Sequence, residues 1–191
     1  MNGAERLNGL NGWNSNLNGG SMDQHSVQVI IETLKEEGID LAVTLPEEPT
    51  FALTEAMRED PFFQAVTVAG EGNGIAFCAG AALGGRRVVF VTGVAGLLVG
   101  TWALSQMGMV YGAPILILAS YRGDFGDHSG IPGSQLLMFK QVAEPLLGAL
   151  RVPYRVVNQK ATLKRMIQEG SFACQDYSHP IVLLLSGEVL W

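Results

Sequence analysis

Charged side chains are scarce in this sequence of 191 residues, of which they make up only 16%. Acidic residues outnumber basic ones, which gives a formal net charge of −6, and the largest basic cluster is the pair Arg86–Arg87. A nucleic-acid-binding surface needs a concentrated positive patch, so nucleic acid is excluded as a partner. Because so few charges are available to cover a globular domain, we expect another chain to cover part of its surface.

Cysteine, clustered histidine and long apolar runs are also lacking. Cys78 and Cys174 are too few for a disulfide framework and are not spaced as zinc ligands, and the three histidines are scattered. The longest apolar runs, such as 115–119, are far too short to cross a bilayer. The sequence does not open with the charged and then apolar pattern of a signal peptide. These absences predict a protein of the reducing cytoplasm.

The chain divides into a tail and one domain. Residues 1–22 repeat the tripeptide Leu-Asn-Gly at 7–9, 10–12 and 17–19. Because Asn and Gly favour turns and lose much entropy on ordering, we expect a flexible tail there. The remaining residues, 23–191, are enough for a single domain with a proper core.

Apolar segments that alternate with helical periodicity predict an α/β fold. We expect strands at 41–45, 66–68, 87–92, 115–120, 154–157 and 181–185. Helices are predicted over 27–37, 50–59 with Thr50 as its cap, from the Glu71 turn to 83, over 96–110, over 134–150 with a break near Pro145, and over 162–174. Near-continuous apolar strands are typical of a parallel sheet covered on both faces, so we expect a three-layer α/β/α domain with about six strands.

The segment around Glu71 is the most informative part of the chain. A short β-branched strand ends at Gly70, and Gly70, Gly72 and Gly74 surround one carboxylate at the start of a helix. The Gly-x-Gly-x-Gly spacing does not fit the dinucleotide fingerprint, and a carboxylate in the turn would repel a pyrophosphate. The simplest alternative is that Glu71 only complements the helix dipole.

Several loops should meet around this carboxylate. In a right-handed parallel fold, every strand-to-helix loop lies at the carboxyl edge of the sheet, where α/β proteins bind ligands. We therefore expect the Pro46 turn, the Glu71 turn, the 93–96 loop and the polar 121–133 loop to form one site. A single acid at its centre is too little for most chemistry.

Three segments in this order resemble the pyrimidine-binding domain of thiamine-diphosphate enzymes. They are the Glu71 turn with its glycines, GRRVVFVTGVAGLLVGTWAL at 85–104, and YGAPILILASYRGD at 111–124. The resemblance covers about 27–185 and is strongest to the α-subunit type of sulfopyruvate and phosphonopyruvate decarboxylases. It implies that Glu71 hydrogen-bonds a nitrogen of the cofactor's aminopyrimidine ring, which promotes loss of the thiazolium proton and decarboxylation of a 2-oxo acid. The cofactor-binding residues that it implies are Pro46, Gly70, Glu71, Thr92, Gly93, Val94 and Gly96.

The resemblance also implies a partner chain. In this family, Mg²⁺ holds the cofactor's diphosphate in a second domain that carries a Gly-Asp-Gly motif. The Gly-Asp pairs at 123–124 and 126–127 do not continue in that pattern. We therefore expect no metal ligand in this chain, and a separately encoded diphosphate-binding β subunit in an α2β2 or larger assembly.

The substrate side departs from the family pattern. The family sequence Gly-Leu-Gly-Asn is replaced at 96–99 by Gly-Leu-Leu-Val, which predicts a more apolar pocket. A Cys-Ser pair is replaced by Glu47 and Glu48, which would repel an anionic substrate tail. Arg122 could bind a carboxylate or only fix its loop. The candidate substrate residues are Glu47, Leu97, Asp127 and His128.

Two other functions stay open beside decarboxylation of a substituted pyruvate to an aldehyde and CO2. The first is a carboligase of the same cofactor class, which the apolar 96–99 loop favours. The second is a non-catalytic scaffold subunit that kept the fold and lost the activity.

Overall fold

A computed structural model describes residues 21–124, 127 and 133–191 of the chain. Its centre is one six-stranded sheet in the order β2-β1-β3-β4-β6-β5, and all neighbouring strands run parallel. The strands are β1 (Leu41–Thr44), β2 (Gln64–Thr67), β3 (Val88–Gly93), β4 (Leu116–Ser120), β5 (Tyr154–Val157) and β6 (Ile181–Leu185). The predicted α/β class with about six strands is confirmed.

Helices join consecutive strands and cover both faces of the sheet. They are α1 (Gln24–Glu36), α2 (Phe51–Glu59), α3 (Glu71–Leu83), α4 (Val94–Val99), α5 (Thr101–Ala103), a π-helix (Leu104–Val110), α6 (Gly133–Ala149), α7 (Lys160–Tyr177) and a final 3-10 turn (Gly187–Val189). The first of them shows how local sequence sets their bounds. The carboxylate of Asp23 accepts a hydrogen bond from the N–H of Ser26 at 3.0 Å, and Gly38 follows the last turn at φ 67°.

Two apolar cores lie on opposite sides of the sheet. One lies under α1, α2 and α7 and contains Val91 and Leu118; we call this side the α1 face. The other lies under α3, α4, the π-helix and α6 and contains Phe90 and Ile117; we call it the α3 face. All residues of β3, β4 and β6 are buried. Side chains of a strand alternate between the faces, so strands with apolar residues at every position fit only between two covering layers.

Three local predictions need correction. The helix expected over 96–110 consists of α4, α5 and the π-helix. Pro145 does not break α6. Proline has no N–H to donate to the carbonyl of Gln141, but Gln141 lies in an exposed turn that water can reach. Thr50 precedes α2 as expected, but its hydroxyl makes no capping bond, although the side chain is fully buried.

The predicted tail lies outside the described residues except for its last two positions, Ser21 and Met22. Within the described part of the chain, no helix is long and apolar enough to cross a membrane.

Candidate functional site

The carboxyl ends of β1, β2, β3 and β4 lie side by side. Thr44 is in register with Thr67 of β2 and Val91 of β3, and Gly93 is in register with Ser120 of β4. The loops that leave these strands therefore start from one short stretch of the sheet edge, as the sequence predicts.

Glu71 is the first residue of α3, immediately after the extended residue Gly70. Its side chain packs against residues 93–96, the last residue of β3 and the first turn of α4, which we call the β3–α4 turn. A Cβ atom added at Gly96 would lie only 2.8 Å from Cδ of Glu71, and one at Gly100 only 3.4 Å from Cβ of Glu71. The residue is half-buried, and its carboxyl group forms no hydrogen bond or ion pair with any other residue that the structure describes. The helix dipole favours a carboxylate at this position.

The glycines around Glu71 have different roles. A Cβ atom at Gly74 would lie 2.6 Å from Cε2 of Phe90, so this glycine lets α3 approach β3 closely inside the protein. A Cβ atom at Gly70 would meet nothing within 4 Å. Gly70 thus leaves open space beside Glu71, whereas Gly74 serves the packing of the helix on the sheet.

A second carboxyl group, that of Glu47, lies on the other side of the same turn. It fills the space beside Gly93, where an added Cβ atom would lie 2.8 Å from Oε1 of Glu47. That oxygen is buried and has no hydrogen-bond partner among the described residues. Burial raises the pKa of Glu47 to about 7; the charge of Arg122 opposes this rise, and that of Glu48 adds to it.

The loop after β4 is tied to several other elements. Nη2 of Arg122 donates to Oε2 of Glu48 at 3.0 Å, which joins this loop to the one after β1. The carboxylate of Asp124 accepts hydrogen bonds from Nζ of Lys140 at 2.7 Å and from Oγ of Ser186 at 2.9 Å. Arg122 therefore connects two loops of the site, and an acid–base network holds the residues beside it.

Asp127, one of the predicted substrate residues, stabilises its own loop. Its Oδ2 accepts a hydrogen bond from the N–H of Gly123 at 2.6 Å. His128 lies outside the described residues.

The remaining predicted site residues differ in their exposure. Thr92 and Val94 are buried at the end of β3 and the start of α4, and Pro46 is exposed on the loop after β1. Leu97 is only 1% exposed and belongs to the core of the α3 face, so its side chain supports the turn from inside.

Sequence reasoning missed two polar residues at this edge, Thr50 and Ser120. Both side chains are fully buried, and neither hydroxyl has a hydrogen-bond partner among the described residues. The only signal in the sequence is that Ser120 ends an otherwise apolar strand. Across the described ranges, no three His, Cys, Asp or Glu side chains gather as a metal site.

Comparison with known proteins agrees with this arrangement. The family described as "Thiamine pyrophosphate enzyme, N-terminal TPP binding domain" matches residues 25–135, which is more than half of the chain. The chain is 25% identical over 158 residues to sulfopyruvate decarboxylase subunit alpha of Methanococcus maripaludis, covering 83% of this chain and 92% of that protein. It is 35% identical over 160 residues to sulfopyruvate decarboxylase of Methanosarcina acetivorans, covering 84% of this chain but 40% of that protein.

Solved structures share the fold. Benzoylformate decarboxylase from Polynucleobacter necessarius superposes with a TM-score of 0.63 at 15% identity, over 84% of this chain and 29% of that one. The 4-hydroxybenzoylformate decarboxylase of Rhodococcus jostii superposes with a TM-score of 0.64 at 16% identity, over 86% of this chain and 30% of that one. The chain thus spans less than a third of each solved protein.

The residues of the site fit the group that this family binds. A half-buried carboxyl group without a protein partner, beside a glycine turn, is suited to accept or share a hydrogen bond with a flat nitrogen ring. The position of Glu71 at the carboxyl edge of a parallel sheet is also where α/β proteins bind ligands. The chain belongs to the thiamine pyrophosphate enzymes and contains their N-terminal TPP-binding domain.

Proposed function

We propose that this chain is the pyrimidine-binding α subunit of a split, thiamine-diphosphate-dependent decarboxylase, which converts a substituted pyruvate to an aldehyde and CO2. The observation that carries the proposal is the half-buried carboxyl group of Glu71, which has no partner in the described part of the chain and packs against Gly96. Family membership and the similarity to sulfopyruvate decarboxylase subunits support the reaction class.

Glu71 has the central role in this proposal. When bound, thiamine diphosphate supplies a carbon nucleophile for the 2-oxo group and accepts the electrons that remain when CO2 leaves. Glu71 would share a proton with the nitrogen of the pyrimidine ring. Gly96 makes room for the carboxyl group beside α4, because a Cβ atom there would lie 2.8 Å from Cδ of Glu71.

The other proposed cofactor contacts surround the same turn. Gly70 would leave open space for the ring next to Glu71, and backbone groups of Thr92 and Gly93 would contact it. Val94 would support these contacts from the core, since its side chain is only 2% exposed. Pro46, exposed at the edge, closes the site from the side of β1.

The substrate lies next to the cofactor at the same edge. Glu47 would face it from the loop after β1 and Asp127 from the loop after β4, and His128, which lies outside the described residues, stays a proposed substrate residue. Leu97 acts through the packing of the β3–α4 turn, because its side chain is buried in the core.

An apolar patch on the outside of the α3 face supports a partner chain. α3 packs against α4, α5 and the π-helix. Large exposed apolar side chains on these elements and at the following residue are Phe77, Leu83, Val99, Trp102, Met107, Val110 and Tyr111. Trp102 and Val99 are 75% and 76% exposed, and several exposed apolar side chains on elements that pack together are typical of a protein–protein interface.

We propose that a diphosphate-binding β subunit covers this patch in an α2β2 or larger assembly. It would hold the cofactor's diphosphate and Mg²⁺. Relatives named "subunit alpha" support a separate partner of this kind. The free, buried thiols of Cys78 and Cys174 are compatible with the cytoplasmic location that we propose for the assembly.

The test is reconstitution. The chain is co-purified with a candidate diphosphate-domain subunit, and CO2 release is measured with thiamine diphosphate, Mg²⁺ and a set of 2-oxo acids. We expect release that needs both chains and is lost in Glu71→Gln. Products formed with an added aldehyde acceptor identify a carboligase. If the wild type and Glu71→Gln both associate with the partner and neither releases CO2, the chain is a scaffold subunit.

Two matched variants test the partner surface in the same preparation. Trp102→Asp adds a charge to the apolar patch, whereas Phe172→Asp changes a side chain that is 69% exposed on α7 at the other face. We expect only the first to reduce the mass of the assembly in light scattering, by disrupting the contact with the partner. If both variants lose the assembly, or if neither does, this interface is contradicted.

A further inference from the structure

Buried polar atoms without partners cluster at one place in the molecule. Five such side-chain atoms occur among the described residues, and four of them lie on the loops or strand ends at the carboxyl edge of β1 and β4. These four are Oε1 of Glu47, Oγ1 of Thr50, Oγ of Ser120 and Nε of Arg122. Because buried polar atoms in folded proteins nearly always have hydrogen-bond partners, this cluster indicates a site that a ligand completes. We call it the polar pocket.

Strand register places the polar pocket on the α1 face. Val91 and Leu118 belong to the core of that face, and side chains two residues further along a strand point the same way. Gly93 and Ser120 are those residues, and they are in register on neighbouring strands. The carboxyl group of Glu47, which fills the space beside Gly93, therefore lies on the same face and at the same end of the sheet as the Ser120 side chain.

The pocket lies next to the proposed cofactor site. Glu47 packs on Gly93 and Glu71 packs on Gly96, so the two carboxyl groups contact the same β3–α4 turn from its two sides. A 2-oxo acid that reacts beside Glu71 could extend its side chain past this turn toward Glu47.

The polar pocket carries no unpaired positive charge. The guanidinium group of Arg122 is paired with Glu48 at 3.0 Å, and burial of Glu47 favours its neutral form. A sulfonate or phosphonate needs a positive group that is not already neutralised. An uncharged oxygen, by contrast, finds donors in Ser120, Thr50 and Nε of Arg122.

We propose that the polar pocket makes the enzyme select 2-oxo acids whose side chain ends in an uncharged hydroxyl or carbonyl group, and reject those that end in a sulfonate or phosphonate. The proposal rests on the decarboxylase function proposed above. It assigns Glu47, Ser120 and Arg122 to substrate specificity.

Three substrates that differ only at C3 test the proposal in the assembled enzyme. They are hydroxypyruvate, 2-oxobutanoate and 3-sulfopyruvate, with kcat/KM measured by CO2 release. We expect hydroxypyruvate to exceed 2-oxobutanoate by about tenfold or more, because the methyl group leaves the pocket's polar atoms unpaired. 3-Sulfopyruvate should be the poorest. A preference for 3-sulfopyruvate, or equal rates with hydroxypyruvate and 2-oxobutanoate, overturns the selectivity and leaves the decarboxylase function standing. If none of the three substrates releases CO2, both the selectivity and the decarboxylase function are overturned.

Two variants test the assigned residues. Glu48→Gln releases Arg122 from its ion pair, so kcat/KM for 3-sulfopyruvate should rise about tenfold relative to hydroxypyruvate. Glu59→Gln, a matched change at an exposed position of α2, should leave the ratio unaltered. Ser120→Ala removes a hydroxyl that has no hydrogen-bond partner among the described residues, so it should keep the fold while reducing the preference for hydroxypyruvate over 2-oxobutanoate. The assignment is overturned if Glu48→Gln leaves the kcat/KM ratio of 3-sulfopyruvate to hydroxypyruvate unchanged and Ser120→Ala leaves the ratio of hydroxypyruvate to 2-oxobutanoate unchanged.

Discussion

Glu47 and Glu71 are two carboxyl groups in similar steric settings with different surroundings. Each fills the space beside a glycine of the β3–α4 turn, Glu47 at Gly93 and Glu71 at Gly96. Glu71 begins a helix of 13 residues and makes no ion pair in the described part of the chain. Glu47 lies in a loop beside the Arg122–Glu48 pair, and burial raises its pKa. We propose that one turn serves two purposes, with Glu71 placed for the cofactor and Glu47 for the substrate.

The largest difference between the two acids is expected in catalysis. In the assembled enzyme, Glu71→Gln should reduce kcat for CO2 release by about 10²–10⁴-fold, because a positioned proton-transfer group contributes that much. Glu47→Gln keeps a neutral polar side chain and should reduce kcat less than about tenfold. Similar losses in the two variants would remove the distinction between the acids.

The glycine beside Glu71 provides the next test. In Gly96→Ala the new Cβ atom would lie 2.8 Å from Cδ of Glu71, so the carboxyl group must leave its position. We expect kcat to fall about 10²-fold, as misplacement of a catalytic group by about 1 Å can produce. Gly80→Ala is the control, since a Cβ atom at that exposed helix position meets nothing within 4 Å. If both variants keep wild-type activity, the position of Glu71 does not matter.

The pH dependence of stability should distinguish Glu47. Its folded-state pKa of about 7 lies above the ordinary value of 4.5. The contribution of the neutral carboxyl group to the free energy of unfolding is therefore fully present below pH 4.5 and is lost as the pH rises to 7. Above pH 7 the buried charge should destabilise the fold by about 1–3 kcal/mol. Glu47→Gln should therefore be more stable than the wild type at pH 8 and similar to it at pH 4, as measured by denaturant unfolding. Glu59→Gln gives the baseline, and a difference that does not vary with pH contradicts burial of the Glu47 carboxyl group.

The smallest effect is expected for Gly93→Ala. The new methyl group meets only the flexible end of Glu47, which can swing toward solvent, so we expect a loss of about 1 kcal/mol in the free energy of unfolding. The added substitution Glu47→Ala should restore most of that loss because it removes the clash. If the double variant is less stable than both single variants, Gly93 and Glu47 are not in contact.

Local patterns were enough to predict most of the fold. The strand 181–185 and the start of α2 at Phe51 follow directly from apolar runs and turn residues. Glu71 was recognisable because its glycine-framed turn lies between a strand and a helix in continuous sequence. Each of these signals is contained within a few neighbouring residues.

The polar pocket could not be predicted in the same way. Its members come from the loop after β1 and from the end of β4, and only the register of Gly93 with Ser120 shows that they meet. The departure from the family pattern predicted that Glu47 and Glu48, both charged, would repel an anionic substrate tail. Instead Arg122, which is 74 residues away from Glu48 in sequence, neutralises one of them, and burial favours the neutral form of the other.

The most direct test of the account is whether Glu71, and not Glu47, activates the cofactor. The measurement is the rate at which the C2 proton of bound thiamine diphosphate exchanges with deuterium in the assembled enzyme, for the wild type, Glu71→Gln and Glu47→Gln. The account predicts exchange that slows by about 10²-fold or more in Glu71→Gln alone. Equal exchange rates in the wild type and Glu71→Gln would contradict it.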